Sequence, residues 1–245
     1  MTTIQPVSER ATKPAPEDLP AGPLPLAQTI LAVTARPGRE SADLGLLLHA
    51  FRRRGAAVAL LSLTRGEASP LNSTCARLEA IRPWELQLAA SVLGIASTTV
   101  ANYPDGGLSR YPRAELTERI RRAIREHAPD LLLVIDPAAG DPDDTVVAAA
   151  TGAAASQAGV PVVACTVAGA RGARMIDLGA DTETARAIQR SAAAAHASQS
   201  EALPLVLARL AGQDHLRWLV PAAKLPGQVS DPPAAAIRRS RADGR

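Results

Sequence analysis

Thr29-Ile30-Leu31-Ala32-Val33-Thr34, running straight into Ala35-Arg36-Pro37-Gly38-Arg39-Glu40, is the stretch that decides the fold. The first six residues carry no charge and read as a strand with both faces covered. The Pro/Gly loop then hands over to Asp43-Leu44-Gly45-Leu46-Leu47-Leu48, which opens a helix over about 43–54 that Gly55 ends. Strand, loop and helix in that order form the unit of an open α/β sheet. Ligands in such sheets bind outside the carboxyl ends of the strands, where this loop lies. The loop holds two arginines and a glycine and, apart from Glu40, no group that would act as a nucleophile or bind a metal.

The unit repeats down the chain. Ala57–Leu63 reads as a second strand, followed by the loop Thr64-Arg65-Gly66-Glu67. A helical stripe over about 75–93 contains Pro83, which predicts a kink or two abutting helices. Thr98–Asn102 is a short strand that runs into Tyr103-Pro104-Asp105-Gly106-Gly107. The segment 113–127 is an amphipathic helix whose arginines form a solvated face, and Leu131–Ile135 is the strongest strand. Its loop, Asp136–Asp144, precedes a helix over 144–158 and a strand over 160–167. Weaker signals predict a strand at 174–178, helices at 181–197 and 200–211, and a last strand at 216–220.

The expectation is therefore an α/β domain over 26–221. It is a three-layer, Rossmann-like, mostly parallel sheet with helices on both faces. A Pro-rich leader at 1–25 and a basic tail at 222–245 read as disordered flanks.

Composition narrows the function classes. The net charge of +3 is small for 245 residues, and the arginines Arg238, Arg239, Arg241 and Arg245 sit in the tail without aromatic interleaving, so no nucleic-acid partner is expected. Five aromatic residues leave a core of Ala, Val, Leu and Ile. Cys75 and Cys165 have no metal or redox spacing and read as reduced thiols. No run approaches the ~18 apolar residues that cross a bilayer, and no secretory leader is visible. A bacterial, cytoplasmic protein with no membrane partner is expected.

Seven pieces in order carry a resemblance. They are Ala35-Arg36-Pro37-Gly38-Arg39-Glu40, Thr64-Arg65-Gly66-Glu67, Arg82-Pro83-Trp84-Glu85-Leu86 with Leu93-Gly94, Tyr103-Pro104-Asp105, Pro129-Asp130, Asp141-Pro142-Asp143-Asp144, and His196-Ala197-Ser198-Gln199. Together, over roughly 27–212, they resemble the PIG-L/LmbE-like de-N-acetylases, zinc hydrolases that remove acetyl groups from N-acetylglucosaminyl compounds. The family has Ala-His-Pro-Asp-Asp-Glu in the first loop and His-Pro-Asp-His in the second.

The resemblance implies an LmbE-like fold, a linear-amide hydrolase ancestry, and a substrate-holding role for Arg82, Asp105 and Glu67. It also implies that Arg36, Arg39 and Asp144 stand where the family binds zinc, Gly38 where it has its general base, and Asp141 where it has an assisting histidine. Asp143 keeps the aspartate of that motif. Arginine has no lone pair for a metal, so no zinc cofactor and no intact catalytic set are expected.

Two functions follow from different classes. One is a pseudoenzyme that binds a sugar-containing or anionic small molecule or a protein partner. The other is an active N-acetylglucosaminyl de-N-acetylase, or another hydrolase using the same cleft. An ion-pair cluster of Arg36 and Arg39 with Asp141 and Asp144 is expected to replace the metal as the staple of this edge.

Overall fold

The computed structural model describes residues 19–221. The expected leader up to residue 18 and the basic tail from 222 lie outside the described residues. Strands β1 (Leu19–Gly22), β2 (Thr29–Thr34), β3 (Ala57–Thr64), β4 (Ser97–Tyr103), β5 (Leu131–Ile135), β6 (Val162–Thr166), β7 (Arg174–Ile176) and β8 (His215–Val220) form one sheet. Its order is β1-β7-β8-β6-β5-β2-β3-β4. The central strands β6, β5, β2, β3 and β4 are parallel, and β8 runs antiparallel to both β6 and β7.

Helices α1 (Arg39–Ala42), α2 (Gly45–Arg53), α3 (Leu78–Leu93), α4 (Arg113–His127), α5 (Pro142–Ala158), α6 (Thr182–Ala194) and α7 (Leu203–Leu210) complete the chain. Both faces of the sheet are covered, as β5 shows residue by residue. Leu131, Leu133 and Ile135 point into one cluster with α2 and α3, and Leu132 and Val134 into the other with α4 and α5. That period of two, apolar on both sides, is why the strand reads as an unbroken apolar run.

Three details differ from the sequence reading. Leu19–Gly22 pairs in parallel with β7, and Leu24 is buried in the core, so part of the expected leader belongs to the sheet. Composition could not show this, because the stabilisation comes from a distant edge, not from the segment itself. The helix expected over 43–54 is present as α2, and a separate short helix, α1, precedes it in what reads as loop. Further on, α3 runs through Pro83 as one helix. Pro83 has no N–H for the Glu79 carbonyl, and Arg65 Nη1 donates to that oxygen instead at 3.1 Å.

Candidate functional site

Strands β5, β2, β3 and β4 are neighbours in the sheet, so the loops after their carboxyl ends share one rim. Gly38 opens α1 at φ 95°, a left-handed turn that only glycine makes without strain. Its N–H donates to Glu40 Oε2 at 2.7 Å, which fixes the turn and delivers Arg36 and Arg39 to the rim from opposite sides of Gly38.

Each arginine is held by several carboxylates. Arg36 Nε donates to Asp105 Oδ1 at 2.8 Å, while Nη1 and Nη2 fork onto Asp141 at 2.8 and 3.2 Å. Asp143 stands 3.6 Å from the same guanidinium. Arg39 pairs with Asp43 at 2.9 Å, one helical turn on, and with Asp144 through Nη2, with Asp141 at 3.9 Å.

The acids also hold backbone. Asp141 is the N-cap of α5 and accepts from the N–H groups of Asp143 and Asp144. Asp143 accepts from Gly106 and Leu108 at 2.8 and 3.2 Å. Asp105 accepts from Thr64 Oγ1 and the Ala68 N–H, and Glu67 Oε1 accepts from the Asp105 N–H at 2.9 Å. Of the residues singled out in the sequence, Arg36, Gly38, Arg39, Glu67, Asp105, Asp141, Asp143 and Asp144 therefore come together in one network.

Arg82 stands behind it, only 4% exposed. Its Nη2 donates to the Pro37 carbonyl at 2.6 Å and its Nη1 to the Gly66 carbonyl, so it braces the first two loops from beneath. Gly66 sits at φ 74°, and a Cβ there would lie 2.7 Å from Arg82 Cζ. The glycine is what lets the guanidinium approach.

The charge balance sets the proton affinities. Burial pulls both site arginines down, and their carboxylates more than offset it. Asp105 and Asp141 do so for Arg36, and Asp43 and Asp144 for Arg39, so both are held above the ordinary arginine value. Burial lifts Asp144 and Asp43 above the usual carboxylate range despite the cation beside them. Asp141 is less enclosed, and the hydrogen bonds and charge from Arg36 overcome burial and hold it below that range. Arg36, Asp141 and Arg39 are the part of the ion-pair network that reaches solvent, with side chains 24%, 21% and 17% exposed; Asp105, Asp143 and Asp144 lie under them.

A second polar layer lies deeper, and its pairings carry no local signal. His196 Nε2 lies 2.6 Å from Glu40 Oε1, both buried, and Ser41 Oγ donates to the same oxygen at 2.7 Å. Burial pushes Glu40 up, but His196 and these hydrogen bonds outweigh it and leave the carboxyl below its ordinary value. Glu85 accepts from both the N–H and the hydroxyl of Ser198 at 2.7 Å. Gln199 accepts from Ser69 Oγ at 2.5 Å and donates to the Leu71 carbonyl. Asp43 was legible in principle, since it lies four residues beyond Arg39 on a helical segment. The Arg217–Asp136 pair, which joins β8 to the end of β5, was not.

Chemically, the rim offers hydrogen-bond donors and acceptors side by side. Among the described residues, no group of three or more His, Cys, Asp or Glu side chains is placed to hold a metal ion. No described helix is long and apolar enough to cross a membrane.

The model of one protein family, GlcNAc-PI de-N-acetylase (PIG-L), matches residues 31–155. No curated protein sequence matches the chain. Among solved structures, the chain is similar to a deacetylase of the teicoplanin biosynthetic pathway, with TM-score 0.61 and 18% identity over 78% of this chain and 97% of that one. N,N'-diacetylchitobiose deacetylase from Pyrococcus horikoshii aligns with TM-score 0.59 and 15% identity over 74% and 76% of the two chains. GalB, the 4-carboxy-2-hydroxymuconate hydratase from Pseudomonas putida KT2440, aligns with TM-score 0.65 and 16% identity over 81% and 98%. At these identities the likeness is one of fold, and that fold carries deacetylases and a hydratase alike.

Proposed function

Because the chain belongs to the PIG-L family, we propose that it is a deacetylase-fold protein that does without zinc hydrolysis and holds a neutral, sugar-like ligand at the strand-end rim. The observation that carries this is the seat of Arg39, whose guanidinium lies against Asp144 and Asp43. A catalytic zinc takes three protein ligands with lone pairs to donate. Of the three positions the resemblance assigns to zinc, two are Arg36 and Arg39, which have none to offer. The third, Asp144, is already engaged by Arg39. The residues present do not fit the ion, and Gly38 supplies no general base.

In this reading the ion pairs do the metal's mechanical work. They tie the loop after β2 to the loop after β5 through Arg36–Asp141 and Arg39–Asp144, and to the loop after β4 through Arg36–Asp105. The ligand class follows from the charge count. Arg36 and Arg39 lie among Asp43, Asp105, Asp141, Asp143 and Asp144, and carboxylates outnumber guanidinium groups even with Arg209 added on Asp43. An anion arriving at Arg36 would meet Asp141 and Asp143 at once. Hydroxyl groups, which both donate and accept, match a rim of alternating Arg and Asp better.

The test is incubation of purified protein with N-acetylglucosamine conjugates, with and without a chelator, beside thermal-shift screening of neutral and anionic sugars. The reading expects no acetate release and a shift with neutral sugars. Acetate release that a chelator abolishes would establish instead an active de-N-acetylase.

A further inference from the structure

The sheet ends at β4, and the sequence around that end is unusual for this chain. About one residue in five is charged overall, yet between Pro83 and Tyr103 the only ionisable acid or base is Glu85. Glu85 is buried against Ser198, so none of these charges reaches the surface. What does reach it on α3 is Trp84, Leu88 and Val92, exposed to 57%, 40% and 37%. They recur every four residues, which places them along one ridge of the helix, about 12 Å long. Gln87 and Ser91 accompany them, uncharged and exposed.

Beside α3, β4 pairs with β3 on one side and, among the described residues, closes the sheet on the other. Its sequence, Ser97-Thr98-Thr99-Val100-Ala101-Asn102-Tyr103, has none of the lysines, prolines or inward charges with which exposed edges are usually guarded.

We propose that this end of the molecule is a homodimer interface. Trp84, Leu88 and Val92 pack against the same ridge of a second copy across a two-fold axis, with the unguarded edge of β4 beside them. Three properties favour a copy of this chain as the occupant. A two-fold contact sets each residue against its own kind or a near neighbour, so a charged ridge would repel itself. From Trp84 to Val92 the one charged residue, Glu85, is buried, with Arg65 on Asn102 and Glu79 lying beyond the ends of the ridge. Identical i±4 ridges interdigitate in the commonest class of helix packing. The three side chains, at their exposures, offer roughly 300 Å² of apolar surface. That is about half of the ~600 Å² per partner that the smallest stable interfaces bury, which leaves the remainder to β4 and its neighbours. A lipid surface fits poorly, because amphipathic membrane helices flank their apolar face with Lys and Arg, and the outer face of α3 has neither.

The test is sedimentation velocity on the full chain at up to about 100 µM, a concentration that populates even weak dimers. The expected result is a species of twice 25.4 kDa. Leu88→Glu should be monomeric with an unchanged melting curve, since the side chain is already partly exposed. Leu88 lies at the middle of the ridge, so an equimolar mixture of Leu88→Glu and Leu88→Lys should regain the dimer. A monomeric wild-type chain at that concentration, or a Leu88→Glu chain that stays dimeric, would overturn the proposal.

Discussion

Arg39 lies with its guanidinium against the buried carboxylate of Asp144, 105 residues further along the chain. This contact joins the loop after β2 to the N-terminus of α5, and its two partners depend on it unequally. Arg39 has Asp43 and Asp141 within ion-pair distance besides Asp144. Among the described residues Asp144 has one guanidinium, and it lies among other carboxylates.

Removing the cation is therefore the costlier change. Arg39→Met strands the buried Asp144, leaves Asp43 with Arg209 alone, and should destabilise the fold by about 3–5 kcal/mol at neutral pH. Asp144→Asn leaves Arg39 paired with Asp43 and should cost about 1–2 kcal/mol. Both aspartates are already raised, and a raised carboxyl contributes stability that is present at low pH and lost as pH rises through its folded value. The Arg39→Met deficit should accordingly shrink toward pH 4. Urea denaturation at several pH values measures all three effects. Equal deficits for the two variants would contradict the asymmetry.

Asp141 has two separable roles, ion pair and helix cap. Asp141→Asn keeps a capping oxygen for α5 and weakens the pairing with Arg36, which is partly exposed, so it should cost about 1 kcal/mol or less. Asp141→Ala loses the cap too and should cost about 1 kcal/mol more. If Asp141→Ala and Arg39→Met both left the melting temperature unchanged, the cluster would not be a staple at all.

Glu40 predicts a pH dependence of the opposite sign. Its carboxyl is held below the ordinary value beside His196, so its contribution is complete above about pH 4.3, where an unfolded glutamate ionises. It is lost as pH falls through the lower folded value. Glu40→Gln should be less stable than wild type at pH 7, and the gap should close in acid. A gap that widened below pH 4 would exclude this assignment.

Much of this was legible in advance for a physical reason. The helix 113–127 and the strand 131–135 coincide with the observed α4 and β5, because an amphipathic period and an unbroken apolar run are local signals. The rim loops follow from strand order, since each lies at the carboxyl end of a strand. What stayed hidden was long-range. Nothing near residue 196 announces that its ring meets Glu40, 156 residues earlier, and nothing in Pro20 or Leu24 announces the edge of β7. Of the two readings of Pro83, the helix is continuous and not two abutting ones, because the carbonyl that Pro83 leaves unpaired is satisfied by Arg65 from another loop.

Arg82 and Gly66 give a test of loop bracing. Gly66→Ala places a Cβ where φ is positive and against the Arg82 guanidinium, so it should cost more than about 1 kcal/mol. Arg82→Met leaves the Pro37 and Gly66 carbonyls without their donor and should speed hydrogen exchange in 36–40 and 64–69 while sparing β5. Uniform exchange across the sheet would mean that Arg82 supports the core in general rather than these loops.

If guanidinium groups stand where the family's metal would, the protein should not retain zinc. Purified protein is incubated with excess zinc, desalted and analysed for zinc per chain. Far less than one equivalent should be retained, with no change in melting temperature on adding a chelator. One zinc per chain, bound tightly enough to survive desalting and lost on substituting Asp144, would contradict that placement of the guanidinium groups.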